Sequence, residues 1–164
     1  MTDDVYVIDA YGILTFPSLC GDQTRLNGLL INLTELVESG RLSFPDLVLR
    51  DCRLYAPRDV CYLWAKAVAG SRKVYKVPNG YQEEALGHCE RLLDLDDDGE
   101  QTQLAVAGLA LLLAEASSVT LVTEDVRPVP ERKCLYEACP DLGLRAATCR
   151  EFVQGVGLDR FLAA

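Results

Sequence analysis

Apolar residues run along this chain in two kinds of pattern, unbroken and helically spaced. The first run, Val5-Tyr6-Val7-Ile8, has no polar alternation and consists of β-formers. It predicts a strand covered on both faces, as in a parallel sheet. The run stops at Asp9, which either caps a turn or helix or stands where open α/β sheets place their ligands. Phe16-Pro17 and Gly21 predict a loop. Asp22 then caps a predicted helix over residues 22–38, with Leu26, Leu29, Leu30, Leu33, Leu36 and Val37 at helical spacing, and Gly40 ends it. Phe44-Pro45-Asp46 starts a second helix, whose apolar face includes Leu47, Val48 and Leu54 and whose interior carries Asp51. Pro57 starts a third, through Val60, Leu63, Trp64, Ala67 and Val68 to Gly70.

Residues 73–77 read as a short strand or an extended linker, and Pro78-Asn79-Gly80 as a turn. A helix over residues 82–93 follows, then an acidic loop. Residues 100–116 form a predicted helix that is apolar nearly all round, as a central, deeply packed helix would be. Val119-Thr-Leu-Val-Thr123 reads as a second buried strand, ending in Glu124-Asp125. Pro128 and Pro130 break the chain. A short helix over 131–138, a third strand over 144–148 and a last helix over 150–156 complete the pattern. Strands separated by helices predict an α/β fold: one domain over 1–164, a three-layer α/β/α sandwich around a mainly parallel sheet.

Composition narrows the function classes. The longest apolar run, residues 104–114, is too short to span a bilayer. The start, Met-Thr-Asp-Asp, is acidic and lacks the basic head of a signal peptide, so a cytoplasmic protein without a membrane partner is expected. Seven cysteines without a C-x-x-C pair, and a single histidine, His88, argue for buried reduced thiols rather than a zinc site. The single histidine also leaves no Ser/His/Asp or Cys/His triad. A net charge of −9 disfavours nonspecific nucleic-acid binding. The distribution softens that exclusion. Residues 50–76 carry seven cations (Arg50, Arg53, Arg58, Lys66, Arg72, Lys73 and Lys76) against Asp51 and Asp59, a net of +5. The acidic excess gathers in residues 94–100, five acids in seven positions. That run is a solvated loop or a metal-binding cluster.

The chemistry is expected at the strand ends. Asp9 follows the first strand and Glu124-Asp125 the second, and parallel strands end on one edge. Asp51, on an otherwise apolar helix face, and Glu100, at the head of the central helix, are candidates to join them. Four carboxylates in one cleft repel one another unless cations bind them, and such oxygen-rich sites suit Mg²⁺ or Mn²⁺. Paired ions of this kind activate water and clamp a phosphodiester.

In order and spacing these acids resemble those of PIN domains, a nuclease family that includes many toxins of bacterial toxin–antitoxin pairs. Val7-Ile8-Asp9 is similar to the family's opening V-I-D. Pro45-Asp-Leu-Val48-Leu-Arg-Asp51-Cys52 is similar to its P-x-x-V-x-x-E-L, with Asp for Glu. Gly99-Glu100-Gln-Thr102-Gln-Leu-Ala105-Val-Ala107 resembles G-E-x-[DE]-x-x-x-A-x-A, with Thr102 where the family has an acid. Val122-Thr123-Glu124-Asp125 matches V-T-x-D, and Ala146 to Val153 resembles the closing strand-to-helix turn. The resemblance implies a PIN-like fold and a metal-dependent endoribonuclease, the toxin of such a pair. It implies that Asp9, Asp51, Glu100 and Asp125 hold one or two Mg²⁺ or Mn²⁺ ions, with support from Thr123 and Glu124. Thr102 shifts the third ligand to Glu100 or to one of Asp96 to Asp98. The resemblance also implies an RNA substrate, an antitoxin partner and a homodimer; on the charge map Arg72, Lys73 and Lys76 would guide RNA phosphates to the cleft. The alternative is a catalytically silent domain of the same fold that binds protein or RNA. Asp9-Ala-Tyr-Gly-Ile-Leu-Thr15 also resembles the start of haloacid-dehalogenase-type phosphatases, but Tyr11 and Ile13 stand where that chemistry needs Asp and Thr.

Overall fold

A computed structural model describes residues 4–164; residues 1–3, where the acidic start was read, lie outside the described residues. The first apolar run forms β1 (Asp4–Ile8). Three further strands follow: β2 (Leu42–Ser43), β3 (Ser118–Val122) and β4 (Arg145–Ala147). They form one sheet in the order β2-β1-β3-β4, with every pairing parallel. Helices are α1 (Ala10–Cys20), α2 (Gln23–Glu38), α3 (Asp46–Tyr55), α4 (Val60–Val68), α5 (Asn79–His88), α6 (Thr102–Ala114), α7 (Leu135–Leu142) and α8 (Cys149–Gly155). The architecture is α/β with an all-parallel sheet, and its layering is compatible with a three-layer sandwich.

The strand order determines where a ligand can enter. From β1 the chain moves outward to β2, and from β3 it moves outward the other way to β4. The adjacent central strands β1 and β3 therefore flank the topological switch point, where the connections part and leave a crevice at the carboxyl edge. Both strands are held in register from Asp4 beside Ser118 to Ile8 beside Val122. The ladder continues one step further, with Asp9 N–H donating to the Val122 carbonyl at 3.2 Å and Thr123 N–H to the Ala147 carbonyl at 2.9 Å.

Residues Leu104 to Leu111 of α6 are all buried, as the all-round apolar pattern demands, and the helix lies against β1 and β3. The expected loop around Phe16-Pro17 is instead helix α1, with Pro17 inside it and Gly21 as its left-handed cap. Its Ala10, Gly12, Ile13, Phe16 and Cys20 are buried, and Tyr11, Leu14 and Leu19 on its less buried side are apolar too, so no polar face marks it out. Strand β2 has two residues, too few for any periodic signal. Residues 73–77 form an extended linker; the Ser43 hydroxyl donates to the Val74 carbonyl at 2.5 Å. Helix α7 begins four residues later than expected and carries Pro140 inside it. All seven cysteines are buried and unpaired. Among the described residues no helix is long and apolar enough to cross a membrane.

Arg72 needs a correction. It was expected on an RNA path, yet its side chain is buried in the fold. Its guanidinium donates to the carbonyls of Ala69 (2.7 Å) and Phe44 (2.6 Å), pairs with Asp46 (2.7 Å), and stacks on the rings of Phe44 and Tyr75. It holds the start of α3 to the linker after α4. Lys73 and Lys76 are exposed. Replacing Arg72 with Ala leaves the buried Phe44 carbonyl without its guanidinium donor and opens a gap against Phe44, and should cost about 2–4 kcal/mol in a denaturant melt, against roughly 0.5 kcal/mol or less for Lys76→Ala. Equal effects would show that the guanidinium is not integral to the fold.

Candidate active site

At the carboxyl edge lies a pocket lined by carboxylates from four separate segments. Asp9 comes from the end of β1, Asp51 from α3, Asp97 and Glu100 from the acidic loop before α6, and Asp125 from just beyond β3. The structure thus brings all four expected acids to one pocket, and of the alternatives Asp96 to Asp98 it is Asp97 that joins Glu100 in the lining. Gln101, buried beneath the loop, explains how so acidic a segment is held. Its amide donates to the carbonyls of Asp94 (2.7 Å) and Asp97 (2.9 Å) and accepts from Asp94 N–H (2.9 Å). Helix α6 begins at Thr102, so Glu100 lies in the loop, two residues before the helix.

Asp9 is both cap and site residue. Its Oδ1 accepts the Gly12 N–H at 2.7 Å, capping α1, and its Oδ2 accepts the Thr123 hydroxyl. The Thr123 oxygen in turn accepts Asp125 N–H at 2.9 Å. One hydroxyl therefore ties the ends of the two central strands together. Gly12 makes the cap possible: a Cβ there would lie 2.8 Å from Ile8 Cγ1 and 2.9 Å from Asp9 Oδ1. Burial pushes the Asp9 carboxyl up to about 7; the Thr123 and Gly12 hydrogen bonds oppose the rise, and the charge on Asp125 adds to it.

Two of the other acids, Asp51 and Asp125, are paired with arginines; no arginine pairs with the carboxylate of Asp97 or Glu100 among the described residues. Arg50 pairs with Asp51 at 3.2 Å and reaches the Glu100 carbonyl (3.3 Å) and the Thr102 hydroxyl (3.2 Å). Arg132 pairs with Asp125 at 2.8 Å, and Leu135 N–H, at the head of α7, donates to the same Asp125 oxygen at 2.9 Å. Arg132 reaches its partner seven residues back, across a proline-broken loop, whereas Arg50 is the immediate neighbour of Asp51. Glu124 does not line the pocket; it accepts Cys149 N–H at 2.8 Å and fastens the head of α8 to the end of β3. Lys73, Lys76 and His88 are likewise outside the lining. Burial pushes the Cys52 thiol up to about 12, with Asp51 and Asp9 adding, which leaves it no thiolate for nucleophilic work.

The donor set is made of hard oxygens, the kind Mg²⁺ and Mn²⁺ take. Asp9 is a buried carboxyl that no guanidinium or ammonium among the described residues partners, and a bound cation would favour its ionised form. As the side chains stand, no three acidic, histidine or cysteine groups among the described residues are gathered closely enough to hold one ion. The residues fit the ion in kind, with two of the carboxylates turned to arginines. Compared with models of known protein families and with curated proteins, the chain matches none.

The raised Asp9 carboxyl has a pH consequence. Folded protein keeps the Asp9 proton up to about pH 7, whereas an unfolded aspartate releases it near pH 3.9, so stability falls as pH rises between those values and levels off above them. In chelator, Asp9→Asn should flatten that decline and raise stability at pH 8 by up to about 4 kcal/mol. Matched pH–stability curves for the two proteins check this; parallel curves would show that Asp9 is not held protonated.

Proposed function

We propose that the protein is a metal-dependent endoribonuclease on a PIN-like domain. One observation carries the reading: carboxylates from four segments distant in sequence share one pocket at the sheet's switch point. Asp9, Asp51, Glu100 and Asp125 would hold Mg²⁺ or Mn²⁺, with Asp97 beside Glu100 supplying the charge that Thr102 lacks. When bound, such an ion supplies Lewis-acid stabilisation of a phosphodiester and activation of the attacking water. The chain's own residues do the rest. Thr123 fixes Asp9 against Asp125, so both carboxyls face the pocket from a rigid sheet edge. Arg50 and Arg132, now on Asp51 and Asp125, offer planar donors that suit phosphate oxygens.

The reading as the toxin of a toxin–antitoxin pair rests on the PIN resemblance, as does a homodimer. Exposed Ile31 on α2, Leu54 on α3 and Leu63 on α4 give apolar surface for one. A second reading, a silent domain that binds RNA or protein, is favoured by the two arginine pairs, which neutralise Asp51 and Asp125 without metal.

Incubation of structured and unstructured RNAs with Mn²⁺ separates the two. The nuclease reading expects cleavage that chelator stops and that Asp9→Asn reduces by about 100-fold or more. RNA bound but left intact would favour the silent domain, and RNA neither bound nor cut would remove both.

A further inference from the structure

Two tyrosines border the acidic pocket, and the core does not use them. Tyr11 is the second residue of α1, two positions past Asp9. Tyr55 ends α3, one helical turn past Asp51. Their rings stack on each other with centroids 5.3 Å apart and planes 12° from parallel. Tyr11 is 51% exposed and Tyr55 53%, so this aromatic pair stands half in water while both residues line the pocket. Large aromatic rings left exposed beside a polar cleft mark a binding surface more often than a folding need.

We infer that Tyr11 and Tyr55 form a platform on which an unpaired nucleobase stacks while its phosphate lies toward Arg50 and Arg132. This rests on the nuclease reading and names the residues that position its substrate. The chemistry of the pocket selects the ligand. The outer faces of its stacked rings offer π-surface for stacking, which every base can use regardless of sequence. Its guanidiniums offer forked donors for phosphate oxygens. An aliphatic or purely anionic ligand would leave one of these features idle, and a paired base keeps its faces inside the duplex. Tyr11 and Tyr55 are joined to the site through backbone that the fold holds rigid: Asp9 caps the helix that carries Tyr11, and Asp51 and Tyr55 share a face of α3.

Fluorescence anisotropy tests the platform, using a short fluorescein-labelled RNA of mixed sequence, single-stranded or annealed to its complement, with Ca²⁺ replacing Mn²⁺ to suppress cleavage. The double variant Tyr11→Ala/Tyr55→Ala should bind the single strand roughly 10-fold or more weakly than wild type, and Tyr11→Phe/Tyr55→Phe should bind it within about twofold. Binding to the duplex should be weak and insensitive to either change. Both tyrosines are half exposed, so the fold should survive, as a thermal melt will show; if the double variant melts early, Tyr11→Leu and Tyr55→Leu singly carry the same comparison. Single-strand binding that is equal in wild type and the alanine variant overturns the platform and leaves the nuclease reading standing. No RNA binding by any of the proteins, wild type included, overturns both. An alanine variant that keeps RNA but loses an arginine-rich peptide assigns the tyrosines to a protein partner and overturns the inference.

Discussion

The hydrogen bond from the Thr123 hydroxyl to the Asp9 carboxyl is the contact on which the site depends. It is buried, and it joins the ends of the two central strands at the point where the chain's connections diverge. Through Oδ1 the same carboxyl caps α1, and through the Thr123 oxygen the link runs on to the backbone of Asp125. Helix α1, strand β1, strand β3 and the segment after it are thus fixed relative to one another by one side-chain cluster. The cost is a carboxyl taken out of water with no guanidinium beside it, which is why its affinity for a proton rises.

Charge in the pocket is offset in two ways. Asp51 and Asp125 have arginines, and burial strengthens the hold of Asp9 on its proton; the Asp97 and Glu100 carboxylates have no arginine among the described residues. A divalent cation would change both arrangements, because it favours the ionised Asp9 and competes with Arg50 and Arg132 for the other carboxylates. The arginines are then free to meet an anion. On this account the pocket is poised between two ways of neutralising the same set of acids, and the proposed chemistry belongs to the one that contains metal.

Much of this was legible in sequence because the governing signals are local. The unbroken run Val5 to Ile8 and the run ending at Thr123 named the two central strands, and an acid following each named the edge of the sheet. Asp22 as a cap and the apolar length of α6 were local too. Helix α1 was not legible, since apolar Tyr11, Leu14 and Leu19 stand on its less buried side and Pro17 sits inside it, so no polar face marks it out. Strand β2 is too short to announce itself. Arg72 lies in a basic stretch, and composition alone assigned it to the surface; its burial depends on Phe44, Asp46 and Tyr75, none of which is adjacent in sequence. Arg132 as a site residue was not legible either, since its ion pair with Asp125 closes across a loop and leaves no periodic trace; Arg50 is the immediate neighbour of Asp51 on α3, a pairing that sequence adjacency alone suggests.

The central claim is that these carboxylates form one cation site. Anomalous scattering from crystals grown with MnCl₂ tests it most directly. The account predicts a manganese peak in the pocket bounded by Asp9, Asp51, Glu100 and Asp125, with at least one of Arg50 and Arg132 moved off its carboxylate. A pocket without a peak, with both guanidiniums still on Asp51 and Asp125, would contradict it.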